Sequence, residues 1–397
     1  MAGLSPGRVA TEEISRVLLP WGARAGALAL LFVGLALGAC PSDVPEAPDP
    51  TPAPPVPPAP VPSDQPGPYA VGATTIERID PRGKWMVMEV WYPALPAEGA
   101  ELEGYAGLNL SRDAYRDPPW DERGAPYPVI AFSYGFGGVR FQSSYLTTWL
   151  ASHGFVVVAP DHAHNTLFDL DSRRTTQVAA ERPGDVTSAV DLVAAALPGR
   201  LDLSDGYAML GHSFGAWTAL VVGGGALDAE ALLAHCADHD EPGCGFFEDQ
   251  SLKTLQDLAQ AAPDPRVNVA VSLAPGLAYS FGPGGIGLAG NVPTLVQGGD
   301  RDGDMPYDSE IRPVFAALPA SARLLTLRGA AHFGFTDLCA TLPLGDECAG
   351  EEEGYMEIER VHALSRTLTT AWIRAQGRGD TTEIRFIERD WVEARGD

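Results

Sequence analysis

Between Tyr69 and Ala375, short apolar runs alternate with amphipathic stretches, and the alternation predicts strands and helices in turn. Thr74 to Ile79 and Trp85 to Tyr92 read as strands around the turn Asp80-Pro81-Arg82-Gly83. Ala94 to Pro126 is polar and loop-rich. Tyr127 to Phe132 reads as a short buried strand that runs into Ser133-Tyr134-Gly135-Phe136-Gly137-Gly138. Ser143 to Ser152 reads as a helix, and Gly154 to Pro160 as a strand with apolar residues on both faces, as in a parallel sheet. Pro183 to Leu197 is an amphipathic helix. Tyr207 to Leu210 is apolar, and Ala216 to Val222 reads as the start of a buried helix. Val267 to Ala274, Val292 to Gln297 and Arg323 to Leu327 supply further strands, and Met356 to Ala375 a last helix. The implied class is α/β, a mostly parallel sheet with helices on both faces. There is no internal repeat.

The pattern differs before Tyr69. Arg8, Arg16 and Arg24 are followed by an unbroken apolar run from Ala25 to Leu37. That run is short for a bilayer span and suits the core of an export signal. Leu37-Gly38-Ala39-Cys40 follows and is similar to a bacterial lipobox, whose cysteine carries the lipid in the mature protein. An ordinary signal peptide beside a cysteine is the alternative. From Pro41 to Pro68, 13 of 28 residues are proline, and large apolar side chains are almost absent. Such a stretch is expected to be extended, with a reach of roughly 85 Å at about 3.1 Å per residue. A tether is the simplest role, and a ligand for SH3-type domains the less favoured one. The expected organisation is a lipoprotein signal over 1–39, a lipidated cysteine and linker over 40–68, and a catalytic domain over 69–397.

Composition adds two bounds. The chain has 397 residues, 45% of them hydrophobic, which is enough for a substantial core. Its net charge of −25 argues against nucleic acid as a partner, because a phosphate backbone calls for a basic surface.

The candidate chemistry centres on Gly211-His212-Ser213-Phe214-Gly215. G-x-S-x-G between a strand and a helix describes a sharp turn that exposes its serine. A glycine-rich turn without function is the plain alternative. A serine nucleophile needs a base, and the base needs an acid to orient it. His332, after the Arg323 strand, is the candidate base. In this arrangement the acid lies between nucleophile and base along the chain. Asp300, Asp302 and Asp304 all follow the Val292 strand; Asp302 is preferred for its spacing from Gly299 and Pro306.

These stretches resemble α/β-hydrolases of the bacterial branch that includes platelet-activating-factor acetylhydrolases, dienelactone hydrolases and cutinase-like polyester hydrolases. Val90-Trp91-Tyr92-Pro93, Ala131 to Gly138, Gln142-Ser143-Ser144, Leu150 to Val157, Gly211 to Gly215, Gly299 to Pro306 and Gly329 to Phe333 carry the resemblance. It implies an α/β-hydrolase fold, no cofactor, and an oxyanion hole made by the backbone N–H groups of Phe136 and Phe214. Tyr134 stands where these enzymes often have histidine, and Ser213 where dienelactone hydrolases have cysteine. The expected function is a serine esterase anchored to the cell envelope of a bacterium, monomeric, acting on a small or polymeric ester. A lipase-like or polyester-cleaving enzyme is the second reading, and a catalytically silent binding lipoprotein the third.

Five cysteines remain. With Cys40 lipidated, the other four allow three pairings. Cys236 with Cys244 and Cys339 with Cys348 would close two short loops and suit export; free buried thiols are the alternative. His162 and His164 lack further ligands at metal spacing and read as loop residues, so no metal is expected. Phe136, Phe214, Trp217, Phe333 and Phe335 are candidates to line a pocket, Trp217 equally for the core. The segment from Gly223 to Ala262 is long enough to border the site.

Overall fold

The computed structural model describes residues 56–105, 113–239, 243–246, 263–288, 291–340, 342 and 346–388. The expected leader, Cys40 and the first part of the proline-rich stretch lie outside these residues, as does most of 240–262.

Among the described residues, nine strands form one sheet. In chain order they are β1 (Ala70–Ile79), β2 (Trp85–Ala94), β3 (Tyr115–Arg116), β4 (Tyr127–Ser133), β5 (Val156–Pro160), β6 (Leu201–His212), β7 (Val267–Leu273), β8 (Thr294–Gly299) and β9 (Arg323–Leu327). Their order across the sheet is β3-β1-β2-β5-β4-β6-β7-β8-β9. From β5 to β9 every pairing is parallel, while β2 is antiparallel to both β1 and β5. Val156–Pro160 is buried along its whole length, as a central strand covered on both sides must be.

Among the described residues the α-helices are α1 (Ser144–Ser152), α2 (Thr175–Ala196), α3 (Phe214–Val222), α4 (Ala229–Asp238), α5 (Arg312–Ala317) and α6 (Ile358–Trp372). Two hydrophobic cores result. One gathers Val186, Val190 and Val193 of α2 and Trp217, Leu220 and Val221 of α3 under strand residues such as Met88, Val129 and Met209. The other gathers Leu146 and Leu150 of α1 and Leu364 and Leu368 of α6 on strand residues such as Ile130, Val157 and Leu210. Alternate residues of β4 and β6 therefore serve opposite cores, which is the two-residue period of a strand at work.

Two expectations need correction. The second helix begins at Thr175, not at Pro183, which lies inside it. Proline is at home in a first helical turn, but here Val178, Ala179 and Arg182 are buried in the turns before it. Their packing offsets the one hydrogen bond the ring removes. α4 and α5 were not expected, because each buries so few residues that it leaves little periodic signal. Asp228 caps α4 by accepting from the Ala231 N–H at 2.9 Å.

Packing on the catalytic unit begins ahead of the Tyr69 boundary drawn from composition. Ser63 is buried and donates to the Glu383 carboxylate through its N–H, at 3.2 Å, and its hydroxyl. Arg374 donates to the Val61 carbonyl at 2.7 Å.

The junction of β6 and α3 is packed backbone against backbone. A Cβ at Gly211 would overlap the Gly215 carbonyl, and one at Gly215 the Ser133 carbonyl of β4. In both cases the obstacle is backbone and cannot swing aside. Gly211→Ala and Gly215→Ala should each destabilise the domain by ~3 kcal/mol or more. Gly284→Ala, where a Cβ would meet nothing within 4 Å, should cost less than about 1 kcal/mol. Thermal denaturation of the three variants tests this; a Gly215→Ala protein as stable as the Gly284→Ala protein would refute it.

Candidate active site

Ser213 sits between the last residue of β6 and the first of α3, with φ 54° and ψ −120°. A non-glycine residue with positive φ is strained, by about 1–3 kcal/mol. The strain is small beside what surrounds it. All nine residues of α3 are buried, and each large apolar side chain so buried contributes ~1.5–3 kcal/mol. The Ser213 N–H donates to the Leu273 carbonyl at 2.8 Å, and the Ser213 carbonyl accepts from Ala216 and Trp217 at 2.9 and 3.1 Å. The bend is thus fixed from β7 and from α3 together.

His332 and Asp302 come from the turns after β9 and β8. These turns meet because a Cβ at Gly299 would overlap the Ala330 carbonyl; only glycine allows that approach. The Arg301 N–H then donates to Ala330 O at 3.1 Å. His332 Nδ1 lies 2.9 Å from Asp302 Oδ2, and both side chains are buried. Asp302 Oδ1 accepts from the N–H groups of Asp304 and Met305 at 3.0 and 2.7 Å. With the carboxylate ionised, Nδ1 carries the proton it donates, and Nε2 is left as a base. Burial by itself pushes the His332 pKa down, but the Asp302 charge and hydrogen bond, with Asp304 and Glu347, raise it above the usual 6.5. Asp300 instead accepts from the Gly329 N–H at 2.7 Å, and Asp304 borders the cavity.

Ser213 and His332 open on one cavity of about 360 Å³. Its wall is mostly apolar, with Phe136, Val139, Leu167, Met305, Phe333 and Leu338. A second hollow of about 30 Å³ also borders Ser213, between Phe136, Phe214, Trp217, Leu277 and Met305. Phe136, Phe214, Trp217 and Phe333 thus border cavities. Trp217 is at the same time fully buried, its indole N–H donating to Ser280 Oγ at 3.0 Å. Phe335 corrects the expectation of a lining residue: it belongs to the core beneath α6. Phe136 stands in the glycine loop after β4 and Phe214 directly after Ser213, with ring centres 6.4 Å apart. Among the described part of 223–262, no residue borders either hollow.

Several residues at the site were given no role in the reading of the sequence. His212 Nε2 donates to the His332 carbonyl at 3.1 Å, while its Nδ1 accepts from the Gln142 amide at 2.9 Å. Burial, and the neighbouring His332, hold His212 well below the usual histidine pKa, so it stays neutral. Asp337 accepts from Ser144 Oγ and the Tyr145 N–H at 3.0 and 2.9 Å, tying the histidine segment to α1. Its burial raises its pKa to about 7. Glu347 accepts from the Phe333 N–H at 3.0 Å. Gln142 and His212 lie in stretches that carry the family resemblance; Asp337 and Glu347 follow the last recognisable motif and show only in three dimensions.

Cys236 is bonded to Cys244 and Cys339 to Cys348. The second bridge closes the segment directly after the His332 turn, which also brings Leu338 and Leu342 to the cavity. His162 and His164 lie in the loop after β5, but His162 is fully buried between Asp185 and Ser133, whereas His164 meets Arg174 near the surface. Among the described residues no group of three or more His, Cys, Asp or Glu could hold a metal ion.

With this geometry in place, comparison with known proteins is informative. Residues 102–169 match the family model of platelet-activating factor acetylhydrolase, isoform II. Cutinase est1 of Thermobifida alba is 29% identical over 209 residues, 52% of this chain and 54% of the relative. Cutinase 2 of Thermobifida cellulosilytica is 29% identical over 52% of this chain and 61% of its own length. The alignment thus spans about half the length of these curated relatives. The solved structure of a ferulic acid esterase from Streptomyces cinnamoneus superposes with a TM-score of 0.51 at 21% identity, covering 78% of this chain and 91% of that one. The chain has an α/β-hydrolase fold and is similar to cutinases and to platelet-activating-factor acetylhydrolases. At 21% identity the ferulic acid esterase bears on the fold of this α/β-hydrolase alone.

The electrostatics of this α/β-hydrolase can be measured directly. In ring-labelled protein, the His332 imidazole should titrate above pH 6.5, and His212 should stay neutral through that range. Asp302→Asn removes the largest opposing charge, so the His332 pKa should fall. A His332 resonance that titrates alike in both proteins would refute the coupling.

Proposed function

We propose that this α/β-hydrolase is a serine esterase working through an acyl-enzyme. The carrying observation is the 2.9 Å contact of Asp302 with His332 Nδ1, on a cavity that the strained Ser213 also borders. Ser213 Oγ attacks the ester carbonyl as His332 Nε2 takes its proton. The backbone N–H groups of Phe136 and Phe214 hold the oxyanion. His332 then gives the proton to the leaving alcohol, and water repeats the sequence to release the acid. Asp302 keeps the imidazole in the productive tautomer and stabilises its charged form. The apolar wall supports a substrate with a sizeable hydrophobic group.

A polymer-acting, lipase-like or cutinase-like enzyme is the second reading. Exposed Leu167, Phe168 and Leu170 beside the cavity support it, since Leu167 borders the cavity and Leu170 packs where a Cβ on Gly137 would point. Rates on p-nitrophenyl esters of increasing chain length, set against acid release from a polyester film, separate the two readings.

Ser213→Ala should remove nearly all ester hydrolysis and the reaction with a fluorophosphonate probe; a folded variant that keeps either sinks the proposal, and a wild-type chain that takes no probe would favour a silent binding protein. Asp302→Asn should cost several orders of magnitude in turnover, since the same exchange in a serine protease triad costs about 10⁴. Asp300→Asn and Asp304→Asn should cost far less. The three purified variants are compared on one ester, and a large loss in Asp300→Asn alone would reassign the acid.

The chain is further proposed to be an exported bacterial lipoprotein, monomeric and held to the cell envelope through Cys40. The two disulfides support an oxidising compartment. Cys40→Ala should abolish incorporation of radiolabelled palmitate and move the protein out of the membrane fraction. Unchanged labelling would count against the anchor.

A further inference from the structure

Directly beneath the glycine loop, α2 presents a buried arginine that the reaction above does not use. Arg182 is fully buried. Its Nη2 donates to the Tyr134 carbonyl and, at 3.0 Å, to Ser133 Oγ. Nη1 donates to Asn165 Oδ1 at 2.6 Å, and Nε to Thr218 Oγ1 at 3.1 Å. Thr218 Oγ1 in turn donates to the Phe214 carbonyl at 2.9 Å. The guanidinium carbon stands 4.6 Å from the centre of the Phe214 ring and 5.1 Å from that of Tyr134. One planar cation therefore ties the end of β4, two residues before Phe136, to the first turn of α3, which starts at Phe214.

We propose that Arg182 is the positioning residue of the oxyanion site, holding the Phe136 loop and the Phe214 turn in one fixed relation. The inference rests on the esterase reading. The two N–H groups assigned to the oxyanion belong to separate segments, β4 with its loop and α3; sheet pairing and the close approach of Gly215 to the Ser133 carbonyl bring these segments together, and Arg182 adds hydrogen bonds to both. A guanidinium has five donors in a rigid plane and bonds both segments in one fixed geometry, whereas an ammonium has three donors on a flexible stem and imposes no such plane.

The charge arrangement points the same way. All four acceptors that Arg182 meets are neutral: two hydroxyls, an amide and a peptide carbonyl. Its counter-charge is reached only in relay. Because Arg182 donates to Ser133 Oγ, the Ser133 hydroxyl donates to His162 Nε2 at 3.0 Å, and His162 Nδ1–H donates to Asp185 at 3.1 Å. His162 must be neutral for this, and burial, reinforced by the Arg182 charge, lowers its pKa to about 3. Asp185 is also held by Arg82 and Lys84, at 2.6 and 2.9 Å. Ser133, His162 and Asp185 thus have the connectivity of a catalytic triad, but all three are buried and the serine is engaged by Arg182. A buried ion is weak evidence for stability, since apolar replacements of similar volume are often neutral. Preorganised donors matter when charge develops on the substrate, so the effect belongs in kcat and not in KM.

The test uses Arg182→Lys, Arg182→Met and Thr218→Val, the last breaking the link to Phe214 while keeping the side-chain shape. Fluorophosphonate titration counts competent Ser213 in each protein, so kcat is expressed per labelled site. A trifluoromethyl ketone supplies the second readout: Ser213 Oγ adds to its carbonyl, the proton passes to His332, and the oxygen takes the negative charge. Both Arg182 variants should lose about 10²-fold in kcat per site, the scale of one oxyanion donor, with KM changed by less than about threefold. Affinity for the ketone should fall in step with kcat. Thr218→Val should lose about tenfold in the same pattern. A merely structural role would lower the melting temperature and the labelled fraction, yet leave kcat per site and ketone affinity unchanged, and that result overturns the proposal. Should the Arg182 variants not fold, Thr218→Val decides by the same criteria. A wild-type protein that takes no label overturns the esterase reading and this inference with it; a labelled wild type with unaltered variants overturns the inference alone.

Discussion

Everything at this site depends on the close approach of three backbone segments around Ser213. The end of β6, the start of α3 and the end of β4 lie so near one another that Gly211 and Gly215 have no room for a Cβ. That crowding forces the strand to turn within one residue. The turn in turn places Ser213 at a φ of 54°, out of line with both elements and on the cavity. A serine on a regular strand or helix would share its surface with neighbours; at this bend it stands alone. The strain persists because α3 is buried on every side and cannot relax outward without opening a core.

The parallel sheet supplies the rest of the arrangement. Strands β6, β8 and β9 run the same way, so the turns after them emerge at one edge. Ser213, Asp302 and His332 are far apart in the chain and adjacent in space for that reason, as expected of ligand sites at the carboxyl ends of parallel strands. Gly299 makes the last adjustment by letting the acid turn touch the backbone before His332. His332 is then held at two points, by Asp302 on its ring Nδ1 and by His212 on its backbone carbonyl. The disulfide between Cys339 and Cys348 closes the following segment.

Around this edge lies a shell of buried polar groups: Arg182, His162, Asp185, Gln142, His212 and Asp337. Each has partners on a different element. Together they link the glycine loop, α1, α2, α3 and the histidine segment. Apolar packing fills space but tolerates sliding. Directional hydrogen bonds do not, and a low local dielectric makes them costly to break.

Local chemistry made much of this legible in the sequence. The runs of apolar residues marked the strands, because a strand buried on both faces needs them. The G-x-S-x-G stretch announced a turn that only glycine permits. Chain order and spacing brought Asp302 and His332 forward, although three aspartates within five residues could not be told apart by composition. Tertiary structure decided the remainder. It drew α2 back to Thr175 across an internal proline, and it put Phe335 in the core instead of the pocket. It paired His332 Nδ1 with Asp302 and turned Asp300 to the Gly329 N–H. It also turned His162 and Arg182, unremarkable in the chain, into a buried relay beneath the glycine loop. The physical reason is common to all of these. Periodicity and turn chemistry act between neighbours in sequence, whereas the partner of a buried charge is set by which distant segments the sheet brings into contact.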